Sequence, residues 1–180
     1  MKKIIQDDNL LSKKEIKYIN DTIFAHSFPW YYNKESVTAK YSLTGKGDNY
    51  WFYSHCVIQR LERGGGSMSN ISDFCISLLD KFCKKHKIKY ETILRCCLNT
   101  NFAQENKSFL HTDHDGDYNH LLIYLTDNKN GETLLFNDDK KTIKKRIQSK
   151  QFRAVSFPKC WHSGVSPKEG IRIVLVYTFK

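Results

Sequence analysis

Apolar residues are spaced at helical period in two places, both in the first half of the chain. Ser12-Lys13-Lys14-Glu15 has the form of a capping box, with Leu11 before it and Ile16 after it as a hydrophobic staple, and predicts a helix running to about Ala25. Ile71, Phe74, Cys75, Leu78, Leu79, Phe82 and Cys83 then fall on one helical stripe, predicting a second helix from about Asn70. Its basic end, Lys84-Lys85-His86-Lys87, suits the C-terminal dipole.

From Tyr90 the period changes. Short apolar runs recur at Ile93–Leu98, Leu121–Leu125, Thr133–Phe136, Phe152–Phe157 and Ile171–Phe179, separated by Asn, Asp, Gly and Pro clusters. That rhythm predicts a β-sandwich or barrel. Between the helices lies an aromatic segment with Trp30, Tyr31, Tyr32, Tyr41 and Tyr50–Tyr53, read as one or two strands extending a sheet. Arg63-Gly64-Gly65-Gly66-Ser67 reads as a hinge before the second helix. The expected organisation is one domain over 1–180, with a helical and aromatic-rich extension at 1–89 and a jelly-roll core at 90–180.

Composition narrows this little. The basic start is followed at once by Asp7 and Asp8, and no apolar run reaches membrane-spanning length. The expectation is a soluble, cytoplasmic protein with no membrane partner and with its six cysteines reduced. No CxxC pair occurs, and Cys96 and Cys97 should point to opposite faces of a strand. The net charge of +10 raises nucleic acid as a partner, but most of the 29 basic residues are lysines scattered along the chain, denser only at 81–89 and 140–150.

The chemistry is concentrated at His111-Thr112-Asp113-His114-Asp115-Gly116-Asp117. On a strand, residues i and i+2 share a face, so His111 and Asp113 can present nitrogen and oxygen to one ion. His162, just after an apolar run, can complete a set of two histidines and a carboxylate, the facial arrangement that leaves non-haem iron(II) three open positions. His114 and His120 compete for the proximal role, but neither has an acid two residues on. Arg172, ten residues past His162, opens the last strand, and a guanidinium held inside a sandwich needs a carboxylate partner. The far carboxylate of a dicarboxylic co-substrate chelating the metal fits that need.

Together these residues resemble the 2-oxoglutarate- and iron(II)-dependent oxygenases, in particular the prolyl-4-hydroxylase-like branch. The resemblance spans roughly Arg95 to Phe179. His111-Thr112-Asp113 looks like the family's HxD, and Trp161-His162-Ser163-Gly164-Val165 like its distal-histidine segment. Tyr124 and Thr133 stand where the family contacts its co-substrate, and Arg172 where it carries its Lys or Arg. The resemblance implies a double-stranded β-helix of cupin-like jelly-roll form, with the N-terminal helices packed on the major sheet. It implies Fe(II) held by His111, Asp113 and His162, 2-oxoglutarate and O2 as co-substrates, and ascorbate as a supporting reductant. Hydroxylation of a peptide, protein or amino-acid side chain, with formation of succinate and CO2, would follow.

Two positions depart from the pattern. Asn101, with Asn99 beside it, replaces a tyrosine that many relatives use as a second co-substrate contact. Asn130-Gly131 replaces a Gly-Gly pair, and Asn can adopt the left-handed backbone needed there. Two alternatives remain: the same chemistry on a nucleic acid or nucleotide, or a non-redox cupin-type metal protein. Nucleic-acid demethylases of the superfamily carry an Asn and a second Arg after the position of Arg172, and Ile173–Phe179 has neither. The prime substrate and the oligomeric state are not written in the sequence.

Overall fold

The computed structural model describes residues 3–105 and 108–180. Two sheets form the frame. The larger joins β1 (Ile5–Asp7), β2 (Tyr31–Asn33), β3 (Phe52–Ile58), β4 (Ile93–Phe102), β5 (Asn119–Tyr124), β8 (Ala154–Pro158) and β10 (Ile171–Phe179), in the order β1-β8-β5-β10-β4-β3-β2. The smaller joins β6 (Thr133–Phe136), β7 (Ile143–Ile147) and β9 (His162–Gly164), in the order β7-β6-β9. Every pairing is antiparallel. This is the jelly-roll form expected from the sequence.

The helices α1 (Lys13–Thr22) and α2 (Ser72–His86) cover one face of the large sheet. Ser12 and Glu15 make the capping box, each side chain accepting the other's backbone N–H. Helix α1 stops at Thr22, three residues short of the expected end, and α2 starts two residues late at Ser72. From α2, Cys75, Leu78, Leu79 and Phe82 are buried against Cys96, Leu98, Leu121, Ile123, Leu175 and Tyr177 of the sheet. The Tyr177 hydroxyl donates to the Cys75 carbonyl at 2.8 Å, so this polar atom driven into the layer is satisfied.

Strand alternation sends the other parity of the same strands inward. Cys97, Leu122, Tyr124, Val155, Val174 and Val176 form a second cluster with Leu135 and Ile147 of the small sheet. A sheet buried on both faces reads as continuous apolar sequence, which is why β5 and β10 were visible as unbroken runs. Cys96 and Cys97 fall in different clusters, as strand geometry required. All six cysteines are free thiols.

Three strands were not foreseen. Strand β1 is a short edge strand on β8, β9 is three residues long, and β7 is Lys-rich with only Ile147 buried. The aromatic segment contributes β2 and β3 to the large sheet, with Tyr31 and Tyr32 exposed on its edge. No helix among the described residues is long and apolar enough to cross a membrane.

Candidate active site

The inner face of β4 runs from one end of the site to the other, through Arg95, Cys97, Asn99 and Asn101. A cavity of about 100 Å³ lies against it, between the two sheets. At one end are His111, Asp113 and His162, whose ligating atoms all lie within 4.8 Å of one another. His111 and His162 face each other across a single antiparallel bridge, each backbone N–H donating to the other's carbonyl at 3.0 Å. Two of the three side chains are therefore placed by backbone pairing rather than by loop conformation.

The histidines are also oriented for ligation. His111 Nδ1 lies 2.8 Å from the Phe109 carbonyl and His162 Nδ1 lies 3.0 Å from that of Cys160. A carbonyl only accepts, so both rings carry their proton on Nδ1 and present the Nε2 lone pair inward. Burial and the neighbouring His162 push the His111 pKa down to about 4, keeping it neutral. Burial alone would raise Asp113, but the hydrogen bond from His120 and the closeness of His162 outweigh it and hold the carboxyl well below its ordinary range. Two inward-facing imidazole nitrogens and a carboxylate suit a divalent cation. Ligands at about 2.1 Å from an octahedral ion sit about 3 Å apart, and the Asp113 Oδ2 to His162 Nε2 separation is already 3.4 Å.

Asp113 has partners beyond the expected set. His120 Nε2 lies 2.8 Å from Oδ2, and this ring stacks on Phe157 with centroids 4.4 Å apart. Arg95 Nη1 is 3.4 Å and Arg60 Nη2 3.5 Å from Oδ1. Arg60 Nη1 also donates to the Asp113 carbonyl at 2.8 Å, and the Asp113 N–H donates to the Tyr118 hydroxyl at 2.7 Å. His114 turns away from the cluster, with Nε2 2.7 Å from the Thr178 hydroxyl. Arg60, Arg95 and Tyr118 were missed in the sequence. Strand parity with Cys97, Asn99 and Asn101 was the signal that could have found Arg95.

At the cavity's other end is Arg172, only 6% exposed. Nε donates to the Gly131 carbonyl at 2.9 Å, Nη1 to Asn101 Oδ1 at 3.0 Å and Nη2 to Thr133 Oγ1 at 3.0 Å. The Tyr124 hydroxyl donates to the same Thr133 oxygen at 2.7 Å, and the guanidinium lies 5.3 Å from the Tyr124 ring centre. Burial raises the Tyr124 pKa, so it remains a neutral donor. No carboxylate of the described residues lies within 4 Å of Arg172; every one of its partners is neutral. Asn99 lines the same cavity and accepts a weak hydrogen bond from the Cys97 thiol at 3.3 Å. The Gly-Gly departure is accommodated as expected, with Asn130 at φ +63°.

No protein-family model matches the sequence, and no curated protein matches it. Solved structures do. An oxidoreductase of the 2OG-Fe(II) oxygenase family from Burkholderia pseudomallei is 14% identical, with a TM-score of 0.73 over 98% of this chain and 84% of that one. A prolyl hydroxylase from Trichoplax adhaerens, solved with a hypoxia inducible factor peptide, is 15% identical, with a TM-score of 0.62 over 98% and 82%. The viral collagen prolyl hydroxylase of Paramecium Bursaria Chlorella virus-1, solved as a 2OG complex, is 16% identical, with a TM-score of 0.54 over 98% and 94%. The chain has the fold of the 2-oxoglutarate and iron(II) oxygenases over almost its whole length.

Proposed function

We propose that the protein is a 2-oxoglutarate- and Fe(II)-dependent dioxygenase that hydroxylates a peptide, protein or amino-acid side chain. The observation that carries this reading is Arg172. A buried guanidinium with neutral partners only is costly unless a ligand anion completes it, and it faces the same cavity as the His-Asp-His cluster. A dicarboxylate that chelates a metal at one end and ion-pairs at the other fits that arrangement. A non-redox cupin-type protein would use the triad and leave Arg172 without a partner.

His111, Asp113 and His162 would hold the iron on one side, leaving positions for two co-substrates. Iron(II) with 2-oxoglutarate and O2 supplies the oxidative chemistry, in which the co-substrate becomes succinate and CO2 and a substrate C–H becomes C–OH. The chain's own work is positional. Arg172 binds the distal carboxylate, assisted by Thr133 and the Tyr124 hydroxyl, while Asn101 fixes the guanidinium. Leu122, Val174 and Val176 wall the cavity with apolar surface, which excludes water from the reaction. His120 fixes the carboxylate of Asp113 from behind.

Anaerobic addition of iron(II) and 2-oxoglutarate should produce the visible charge-transfer band of the chelate, and admission of air should yield uncoupled succinate. His111→Ala and His162→Ala should each lose both signals. A wild-type protein with neither band nor succinate overturns the reading.

A further inference from the structure

Resting on that reading, the geometry points to an anionic group on the prime substrate, a carboxylate or a phosphate, bound by Arg60 and Arg95. The two guanidiniums sit in a groove that joins the metal cavity directly, since Ser36, Phe52 and Arg95 line both. Lys34, Arg60, Arg63 and Arg95 line the groove against a single carboxylate, Glu35. Glu62 reaches Arg60 at 3.5 Å, but it is half exposed and its charge is screened by water.

Asp113 is the one buried acid that Arg60 and Arg95 share, at 3.5 and 3.4 Å. A carboxylate that ligates a divalent cation has little charge left to offset two neighbouring guanidiniums, and the cation adds its own repulsion. Loading the site therefore leaves positive excess on the groove side. 2-Oxoglutarate relieves it only in part, since its chelating carboxylate offsets one of the cation's two charges and its other carboxylate lies too far away. Arg95 and Asn101 are six residues apart on β4, about 20 Å, and the distal carboxylate belongs with Arg172 at the Asn101 end. A second anion, brought by the substrate, satisfies both arginines and fixes its position beside the metal. Guanidiniums suit carboxylate and phosphate alike.

The test uses pairs of probes that differ in the anion, added without oxygen to the protein loaded with iron(II) and 2-oxoglutarate. Free amino acids are compared with their amides, and nucleoside 5′-monophosphates with nucleosides. Perturbation of the charge-transfer band and calorimetry give the affinities. In at least one pair the anion should bind tenfold or more tightly than its neutral counterpart, and which pair does so separates carboxylate from phosphate. That preference should fall at least tenfold in Arg60→Gln and Arg95→Gln, compared at saturating iron(II) so that any change in metal affinity drops out. The exposed Arg63→Glu, which endangers no buried packing, should weaken the preference as well. A normal band with no anion preference in any pair overturns this proposal alone, whereas absence of the band overturns the oxygenase reading beneath it. Loss of iron binding in Arg60→Gln and Arg95→Gln would assign both residues to holding Asp113 and end the proposal too.

Discussion

Arg172 and Asn101 are direct partners across the β10–β4 ladder, and their side chains meet over the same rungs, Nη1 to Oδ1 at 3.0 Å. The Asn101 amide thus braces the arginine. Arg172→Gln should raise the 2-oxoglutarate requirement about ten- to hundredfold, the worth of a lost charge-assisted pair, while leaving iron binding intact. Titration of the chelate band at fixed iron checks this. Equal loss of metal and co-substrate binding would point instead to collapse of the cavity.

Gly131 is held close to that arginine. A Cβ there would come within 2.9 Å of Asn128 Cβ and 3.2 Å of Arg172 Cδ, while the Gly131 carbonyl accepts from Arg172 Nε. Gly131→Ala should cost about 1–3 kcal/mol by overpacking and weaken 2-oxoglutarate binding by displacing the guanidinium. Urea unfolding and the same titration would separate the two effects. Wild-type values in both would show that the loop yields freely.

His120 reaches Asp113 Oδ2 at 2.8 Å but stands outside the three-residue cluster. His120→Ala should lower iron affinity about 10- to 100-fold, as removal of a ligand's outer partner does, without abolishing the chelate band at saturating metal. Complete loss of the band would make His120 a ligand rather than a support.

Asp7 fastens β1 to α2, with Lys85 Nζ at 2.8 Å from Oδ2 and His86 Nε2 at 2.8 Å from the same oxygen. Burial would raise its pKa, but the Lys85 and His86 hydrogen bonds outweigh it and the folded value is lowered. A lowered acid stabilises the fold at pH above its unfolded pKa, about 3.9, and that contribution disappears as pH falls through the folded value. Asp7→Asn should therefore cost about 1–3 kcal/mol at neutral pH and progressively less below pH of about 4. Denaturant melts of both proteins across that range measure it. A deficit that is the same at every pH would argue against the ionic origin.

The sequence was legible where burial imposed a pattern. Strands β6 and β10 begin and end where their apolar runs do, and the capping box at Ser12 lies as read. Strand β4 extends past Leu98 to Phe102, beyond its apolar run, because Asn99 and Asn101 are the polar residues that line the cavity. Strand β7 gave no signal, since four of its five residues face water and lysine carries no strand preference. The His111, Asp113 and His162 cluster and Arg172 were visible because a grouped set of ligand-type residues and a buried charge are both unusual in an apolar strand pattern. Arg60 was not, because nothing local to Gln59-Arg60-Leu61 says that it reaches Asp113 53 residues on. Long-range pairing of that kind is decided by topology.

The backbone bridge between His111 and His162 has a consequence for how the protein opens. A cation ligated by both rings would act as a clasp on the edge of the small sheet, tying β9 to the segment before Asp113. Its departure would let that edge breathe while the large sheet, braced by α1 and α2, stays shut. Amide exchange at His111 and along β9 should therefore quicken on chelation long before exchange does in β5 or β10, making the small sheet the region where metal loading is felt.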